Sequence, residues 1–449
     1  MAYSDGGIAV LLLHHELCHR FAYDVASAEN YALLARSLNA IASQQGEYAE
    51  WSGRNETWQA DSHAAYVDRM EAVNVLPVVY CHDDFLLFKE LSDAVKRTCG
   101  KLYLAGTITN SILIYLLGDH ELNPMPAHYY CPNCGYYHEE PQAVVGLDLP
   151  ERNCPHCRSA LRRDGFSLRE EYVWRASSEM TFEYRMTSRV IPLARKIIER
   201  HYAGQHRHTA LLGWQNSDQL EVSGMVILPA GKGLADYQEF VGITQDGKEC
   251  LCYDWRLFER ENLKKILLLR LNLLDVLDKV QWETGALADD ITPEELYDVS
   301  CQDILNTLVL EQGEYNVLFK QKPKTFREKM DLLSATHNTY HAEDSCDSFV
   351  SFQEFSENQL FLSCPIYTRD DVFDMLRQIY KDAGRAFLDA EDVRNGRSHN
   401  GTCVFSAEVP EELKRITQHV SYLFPRAFGQ WHMLQYMRLA KYLKLDRRA

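Results

Sequence analysis

Apolar residues recur at helical spacing near the start of the chain. One stripe runs through Ala9–Phe21, and Leu33, Leu34, Leu38 and Ile41 mark another within Ala28–Ala42. Small and polar residues at Ser52–Asn55 interrupt this pattern. Residues 1–74 therefore read as a helical region whose role the pattern leaves open. From Val75 the texture changes: Val75-Leu-Pro-Val-Val-Tyr80 reads as a strand and Phe85–Lys96 as an amphipathic helix. Leu102–Leu117 passes through a Gly-Thr turn into an apolar segment. Arg185–His201 reads as a basic amphipathic helix, Gly224–Pro229 as a buried strand ended by a turn, and 261–281 as a leucine-rich helix. Helices with short connections are predicted at Pro293–Leu310, Phe326–Leu333, Arg369–Asp389 and Pro410–Leu445. The expected class is α+β, with a mixed region over 75–290 and an all-α region over 291–449.

The 449 residues are 46% hydrophobic and 11% aromatic, which suits a folded chain with a sizeable core. The longest apolar runs, Ile8–Leu13, Ile112–Leu117 and Ile266–Leu269, fall short of the roughly 18 residues that span a bilayer. The N-terminus lacks the basic start, apolar core and small-residue cleavage site of a signal peptide, so a cytoplasmic protein without a membrane partner is expected. With 47 basic and 64 acidic side chains, the formal charge of −17 argues against nucleic acid bound over the whole surface. The charge is uneven, however. Arg152–Arg207 carries 12 basic and 6 acidic residues, and Glu411–Ala449 carries 8 and 3, which leaves room for local basic faces.

Of the 13 cysteines, most are scattered singly and read as reduced thiols. The exceptions are Cys131-Pro-Asn-Cys134 and Cys154-Pro-His-Cys157, two matched pairs separated by 19 residues. Each pair makes a tight knuckle that aims two thiolates at one point, and two knuckles complete a tetrahedral four-sulfur zinc site. A closed set leaves no open position for substrate, so the zinc is expected to be structural. A second pattern, His15-Glu16-Leu-Cys-His19, puts two imidazoles on one helix face with a glutamate between them, as zinc peptidases do, and Glu56 is a candidate third ligand. A surface helix that happens to carry histidines explains the same five residues. Only seven residues precede its apolar run, too few for a substrate-binding sheet.

Around the cysteine pairs the sequence resembles the PolC-type DNA polymerase III alpha chain, of the C family of polymerases. The resemblance rests on Glu121-Leu-Asn-Pro-Met-Pro-Ala-His-Tyr-Tyr-Cys-Pro-Asn-Cys134, on Gly146-Leu-Asp-Leu-Pro150 leading to Cys154 and Cys157, and on Arg163-Asp-Gly165. Further segments match in the same order: Ser223–Pro229, Lys322-Pro-Lys-Thr-Phe326, Tyr367–Asp374, Ala390–Arg397, Tyr422-Leu-Phe-Pro-Arg-Ala427 and Arg438-Leu-Ala440. The similar span, about 75–445, implies a palm over 75–290 with a zinc-binding insertion at 121–165, and helical fingers over 291–449. It leaves no room for the family's exonuclease and other modules.

The resemblance also shows what the chain lacks. Nucleotidyl transfer needs two divalent metals held by convergent carboxylates. Where the family has an Asp-x-Asp pair, this chain has Ser177 and Glu179, and where it has a third Asp, this chain has Leu267. The family's glycine-rich triphosphate loop corresponds to Tyr103–Ser111, with Ala105 in place of an arginine and only Gly106 retained. The expectation is a polymerase relative that is catalytically inactive and binds DNA or a replication-protein partner. Arg185, Arg189, Arg195, Arg394, Arg397, Arg426 and Arg438 would be its phosphate contacts. The alternatives are an active polymerase, requiring Mg²⁺, with carboxylates relocated to Glu179, Glu183 and Asp254, and a zinc peptidase at His15, Glu16 and His19.

Overall fold

The computed structural model describes residues 77–110, 121–168, 183–216, 219–285, 291, 293–342, 345–357, 359–398, 401 and 405–446. The expectations for residues 1–74, including His15, Glu16, His19 and Glu56, and those for Ser177 and Glu179, lie outside the described residues. The chain is mixed α+β. In order, the first strands are β1 (Leu102–Ala105), β2 (His128–Tyr130), β3 (Tyr137–Glu139), β4 (Arg162–Asp164) and β5 (Glu183–Met186). They are followed by β6 (Thr209–Asn216), β7 (Gln219–Ile227), β8 (Val241–Ile243), β9 (Glu249–Cys252) and β10 (Lys264–Arg270). β11 (Thr339–Ala342), β12 (Ser345–Val350) and β13 (Val420–Tyr422) come last. The helices begin with α1 (Pro77–Arg97), α2 (Ile191–Ala203), α3 (Trp255–Glu261), α4 (Asn272–Thr284), α5 (Cys301–Leu305), α6 (Gln312–Gln321) and α7 (Phe326–Thr336). They end with α8 (Phe352–Ser356), α9 (Gln359–Ser363), α10 (Arg369–Tyr380), α11 (Ala383–Arg394), α12 (Glu411–Gln418) and α13 (Arg426–Asp446).

Two compact units emerge. One is built from segments within Leu76–Thr109 and Ser178–Gly285, the other from segments within Asn110–Ser177 and Ala286–Ala449. The cysteine-bearing segment thus groups with the helical C-terminal part, whereas the sequence reading set it as an insertion in the 75–290 region.

The first unit holds a seven-stranded sheet in the order β1-β5-β10-β7-β6-β9-β8. β10 is an interior strand, parallel to β5 and antiparallel to β7. This corrects the first half of the leucine-rich helix expected at 261–281; residues 272–281 are helical, in α4. The run Ile266–Leu269 is apolar throughout, so it reads equally as a helix or as a strand covered on both faces. Asn262 ends α3 at φ 49°, and two paired neighbours then claim the backbone hydrogen bonds of β10. One face of the sheet packs on α1 and α2, where Phe88 stacks on Tyr184 at 6.3 Å and Ile197, Ile198 and Tyr202 are buried. The strand expected at Val75–Tyr80 is likewise corrected: its described residues, from Pro77, open α1, since proline is tolerated in a first helical turn. The basic helix expected from Arg185 starts only at Ile191, because Glu183–Met186 is taken up as β5 between β1 and β10.

In the second unit helices appear within the predicted stretches, and α6, α8 and α9 form where none was expected. Ser300, Thr325, Ser351 and Thr368 cap α5, α7, α8 and α10, each with an acidic residue three positions later that bonds back to the cap. The expected helix Arg369–Asp389 is two helices, α10 and α11, divided where Lys381 takes a left-handed conformation at φ 52°. Pro410–Leu445 is also divided, into α12 and α13 around β13. The all-α expectation fails here, because β12-β11-β13 form a small sheet. Its Tyr340 is buried against Phe355, with ring centroids 4.2 Å apart.

α13 is buried along Arg426–Ala440, so its polar residues must find partners inside the protein. Arg426, 1% exposed, donates to Asp371 at 2.9 Å and to Asp374 at 3.1 Å, while its backbone N–H donates to Asp370 at 3.0 Å. Arg327 also donates to Asp371, at 2.7 Å, and to Asp331. Burial, added to by the Asp371 charge, pushes the Asp331 carboxyl up to about 7, whereas Arg426 and Arg327 outweigh burial at Asp371 and hold it below the usual range.

Two predictions follow from this packing. A Cβ on Gly224 of β7 would lie 2.1 Å from the Ile266 carbonyl oxygen of β10, so Gly224→Val is expected to lower stability by about 1–3 kcal/mol, read in denaturant unfolding. Asp331 stays protonated in the folded protein above the pH at which the unfolded chain releases its proton. The stability it contributes is complete below about pH 4 and is lost as pH rises through about 7. Asp331→Asn is therefore expected to gain in Tm relative to the parent as pH rises from 4 to 8, and parallel Tm curves would contradict this.

Candidate metal centre and the row across the sheet

The two cysteine knuckles repeat one local geometry. Gly135 N–H donates to the Cys131 carbonyl at 2.9 Å and Arg158 N–H to the Cys154 carbonyl at 3.0 Å. Cys131 N–H donates to the Tyr136 carbonyl and Cys154 N–H to that of Ser159. The residue after each second cysteine is left-handed, Gly135 at φ 73° and Arg158 at φ 65°. These turns bring all four sulfurs within 4.8 Å of one another, with Cys131–Cys157 at 3.4 Å and Cys134–Cys154 at 3.5 Å. Zinc–sulfur bonds of about 2.3 Å in a tetrahedron separate sulfurs by about 3.8 Å, so the set is compatible with structural zinc. Hydrogen bonds from the Ser159 hydroxyl and backbone and from Asn133 pull the Cys157 thiol down to about 5, whereas burial pushes the Cys131 thiol up, and at Cys134 the Tyr136 backbone bond is outweighed by burial and the neighbouring sulfurs, which push that thiol up to about 12. His138 and His156 flank Tyr136 as ring neighbours, outside the sulfur set.

The rest of the segment shows why the motif around the cysteines contains those residues. Gly165, at φ 94°, would bring a Cβ within 2.1 Å of the Pro126 carbonyl oxygen, so glycine is required there. Asp164 accepts from Asn123 at 2.9 Å, and Asp148 accepts from the N–H groups of Phe326 and Arg327, at 2.6 and 2.8 Å, at the start of α7. Glu121 pairs with Arg438 and accepts from Gln435, both on α13. Segments far apart in sequence thus hold one another in the second unit.

In the first unit, four strands align one row: Ala105 on β1, Glu183 on β5, Leu267 on β10 and Gly224 on β7 are successive register partners. Gly106 follows Ala105 directly, with φ 104°. The sheet therefore gathers Ala105, Gly106 and Leu267, the positions that the resemblance assigns to the triphosphate loop and the third carboxylate. Leu267 packs against the apolar cluster of Ala210, Leu212, Val226 and Leu251. Glu183 is the carboxylate in the row, and it is paired with Arg185 two residues along the same strand face. Asp254, the other proposed substitute, caps α3 by accepting from the Leu257 N–H at 3.0 Å. Among the described residues, the groups of three or more close ligands are the four cysteines and a Glu314–His337–His432 set, and neither lies on this sheet. The described part of the row does not fit a two-Mg²⁺ site.

Six of the seven arginines proposed as phosphate contacts pair with carboxylates of the same chain, Arg189 and Arg397 while still exposed. Arg189 clamps Asp278 at 2.6 Å and the carbonyls of Thr98 and Cys99 at 3.0 Å. Arg394 pairs with Glu391 at 3.1 Å, Arg397 with Asp392 at 2.6 Å, and Arg185 with Glu183. Arg195 is half-buried on α2. Arg426 and Arg438 are corrections: both are buried, with their guanidiniums committed to carboxylates, out of reach of a phosphate backbone. The signal that would have separated these residues is their place on α13, whose burial no local pattern reveals. No helix among the described residues is long and apolar enough to cross a membrane.

No protein-family model matches the chain. Individual proteins do. The DNA polymerase III PolC-type of Thermotoga maritima is 20% identical over 440 positions, covering 81% of this chain and 31% of that protein. That of Streptococcus agalactiae is 21% identical over 520 positions, covering 92% and 35%. That of Bacillus subtilis is 35% identical over a shorter stretch of 79 residues. The chain is thus a distant PolC-like relative that spans about a third of the length of the Thermotoga and Streptococcus proteins.

If the sulfur set ligates metal, Cys131→Ser or Cys154→Ser should lose it, and a strong chelator should do the same to the parent. The β2–β4 amides should then lose their protection in hydrogen exchange. Full protection in metal-free protein would show that the knuckles stand by packing alone.

Proposed function

We propose that this chain is a PolC-related protein that does not carry out two-metal nucleotidyl transfer and works instead by binding a protein partner of the replication machinery. The observation that carries this reading is Leu267. It lies in the row across the sheet between Glu183 and Gly224 and belongs to an apolar cluster rather than to a ring of carboxylates. A leucine offers no oxygen to Mg²⁺, and such ligands act as a unit, so the loss of one removes most of the rate. The four cysteines would hold zinc as a structural brace and take no part in chemistry.

A protein partner is favoured over DNA on electrostatic grounds. The chain carries −17, and six of the seven arginines of the expected DNA face, all but Arg195, are held by Glu183, Asp278, Glu391, Asp392, Asp371, Asp374 and Glu121. Moving a guanidinium from such a partner to a phosphate gains little.

The test is primer extension with Mg²⁺ or Mn²⁺ on a primed template, beside DNA binding measured by fluorescence anisotropy across a salt series. No extension and weak DNA binding are expected. Extension abolished by Glu183→Ala or Glu179→Ala would replace this reading with an active polymerase whose carboxylates have moved. Tight DNA binding that falls steeply with salt would replace the protein partner with DNA. Leu267→Asp should not create activity and should cost about 1–3 kcal/mol of stability, since it puts a carboxylate into an apolar cluster.

A further inference from the structure

Glu314 on α6, His337 at the C-terminal end of α7 and His432 on α13 come together inside the second unit. One carboxylate oxygen and one ring nitrogen from each histidine lie within 4.8 Å of one another, and Glu314 Oε1 is 3.0 Å from His337 Nε2. Glu314 is 1% exposed and His432 is 6% exposed. The other Glu314 oxygen is already engaged, accepting from the Glu311 N–H at 2.8 Å and from the Tyr436 hydroxyl at 2.9 Å, so Oε1 is the atom turned to the imidazoles. Those bonds orient the carboxylate as the outer partners of a metal ligand do. Stacking holds the rings: His337 lies on Phe424 at 4.7 Å, and His432 has Phe428 at 5.1 Å and Tyr436 at 5.4 Å as neighbours.

A carboxylate this deeply buried needs a positive partner. A cation bound by two neutral imidazoles and one carboxylate accounts for all three groups. Metal–ligand bonds of about 2.0–2.1 Å in a tetrahedron set donors about 3.3 Å apart; Glu314 Oε1 and His337 Nε2 stand at 3.0 Å, and the His432 nitrogen lies within 4.8 Å of both. We propose that Glu314, His337 and His432 form a second divalent-metal site, separate from the four cysteines, taking a borderline cation of the zinc or cobalt class. Imidazole with carboxylate selects that class over Mg²⁺ and Ca²⁺, which prefer all-oxygen sites. Bound there, the metal ties α6, the end of α7 and α13 together and keeps one position for water. The proposal stands apart from the polymerase question, because none of the three residues lies in the row across the sheet.

The test is metal content of the full chain by mass spectrometry after equilibrium dialysis against buffered free Zn²⁺, with a parallel Co²⁺ spectrum. Two metals per chain are expected, one at each ligand set. His432→Phe keeps an aromatic ring in the stack and should leave one metal and the cobalt–thiolate charge-transfer band. Glu314→Gln should do the same, and His337→Gln serves if that variant fails to fold. A single metal in the parent protein overturns the proposal, as do two metals in both His432→Phe and His337→Gln. So does loss of the second metal in His15→Ala with its retention in His432→Phe, since that assigns the metal to His15 and His19.

Discussion

A charge taken out of water has to be met by an opposite charge or by hydrogen bonds, and this requirement organises the second unit of the protein. Arg426 enters α13 fully buried. Asp370, Asp371 and Asp374 on α10 are placed around it, and Arg327 on α7 shares Asp371. Asp371 also caps α10 through the Thr368 hydroxyl and N–H, so one carboxylate serves helix initiation and charge neutralisation together. Asp370, Asp371 and Asp374 face Arg426, Arg327 and Arg369, whose Nε lies 3.8 Å from Asp370, and burial together with the Asp371 charge keeps the proton on Asp331 near neutrality. The arrangement joins α7, α10 and α13 by directional bonds that an apolar core alone would not specify.

The same requirement decides what the arginines can do. In sequence, Arg185 and Arg189 fall in one basic stretch and Arg426 and Arg438 in another, with Arg394 and Arg397 between them, a pattern that invites a polyanion on an acidic chain. In three dimensions each meets a carboxylate of the same chain. Charge clustering along a sequence counts cations but not their partners, which here come from positions as distant as Glu121 for Arg438 and Asp278 for Arg189.

The row Ala105–Glu183–Leu267–Gly224 connects the relationship to PolC-type polymerases with the departure from them. Four strands place side by side segments that lie far apart along the chain, and two of them carry a residue that the resemblance flags as altered. An isolated substitution in one motif could reflect a shift of alignment. Ala105 and Leu267 both partner Glu183, from either side of β5, so the sheet places the two altered positions in one row.

The sequence by itself determined the four-cysteine set, because a knuckle is a local object: Cys-x-x-Cys and the turn after it fix two sulfurs regardless of what surrounds them. It also determined most of the C-terminal helices, whose Ser300, Thr325 and Thr368 caps are local as well and whose capping signature was there to be read. The scattered motif segments were legible for a different reason: Asp148 with Phe326 and Glu121 with Arg438 are mutual partners, so each segment requires the others. Only the tertiary structure decided that Ile266–Leu269 is an interior strand. An all-apolar run carries no period, and its state is set by the edges of β5 and β7 that receive its hydrogen bonds. Only the tertiary structure, too, brought Glu314, His337 and His432 together, since their spacing along the chain follows no local repeat and their meeting depends on how three helices pack.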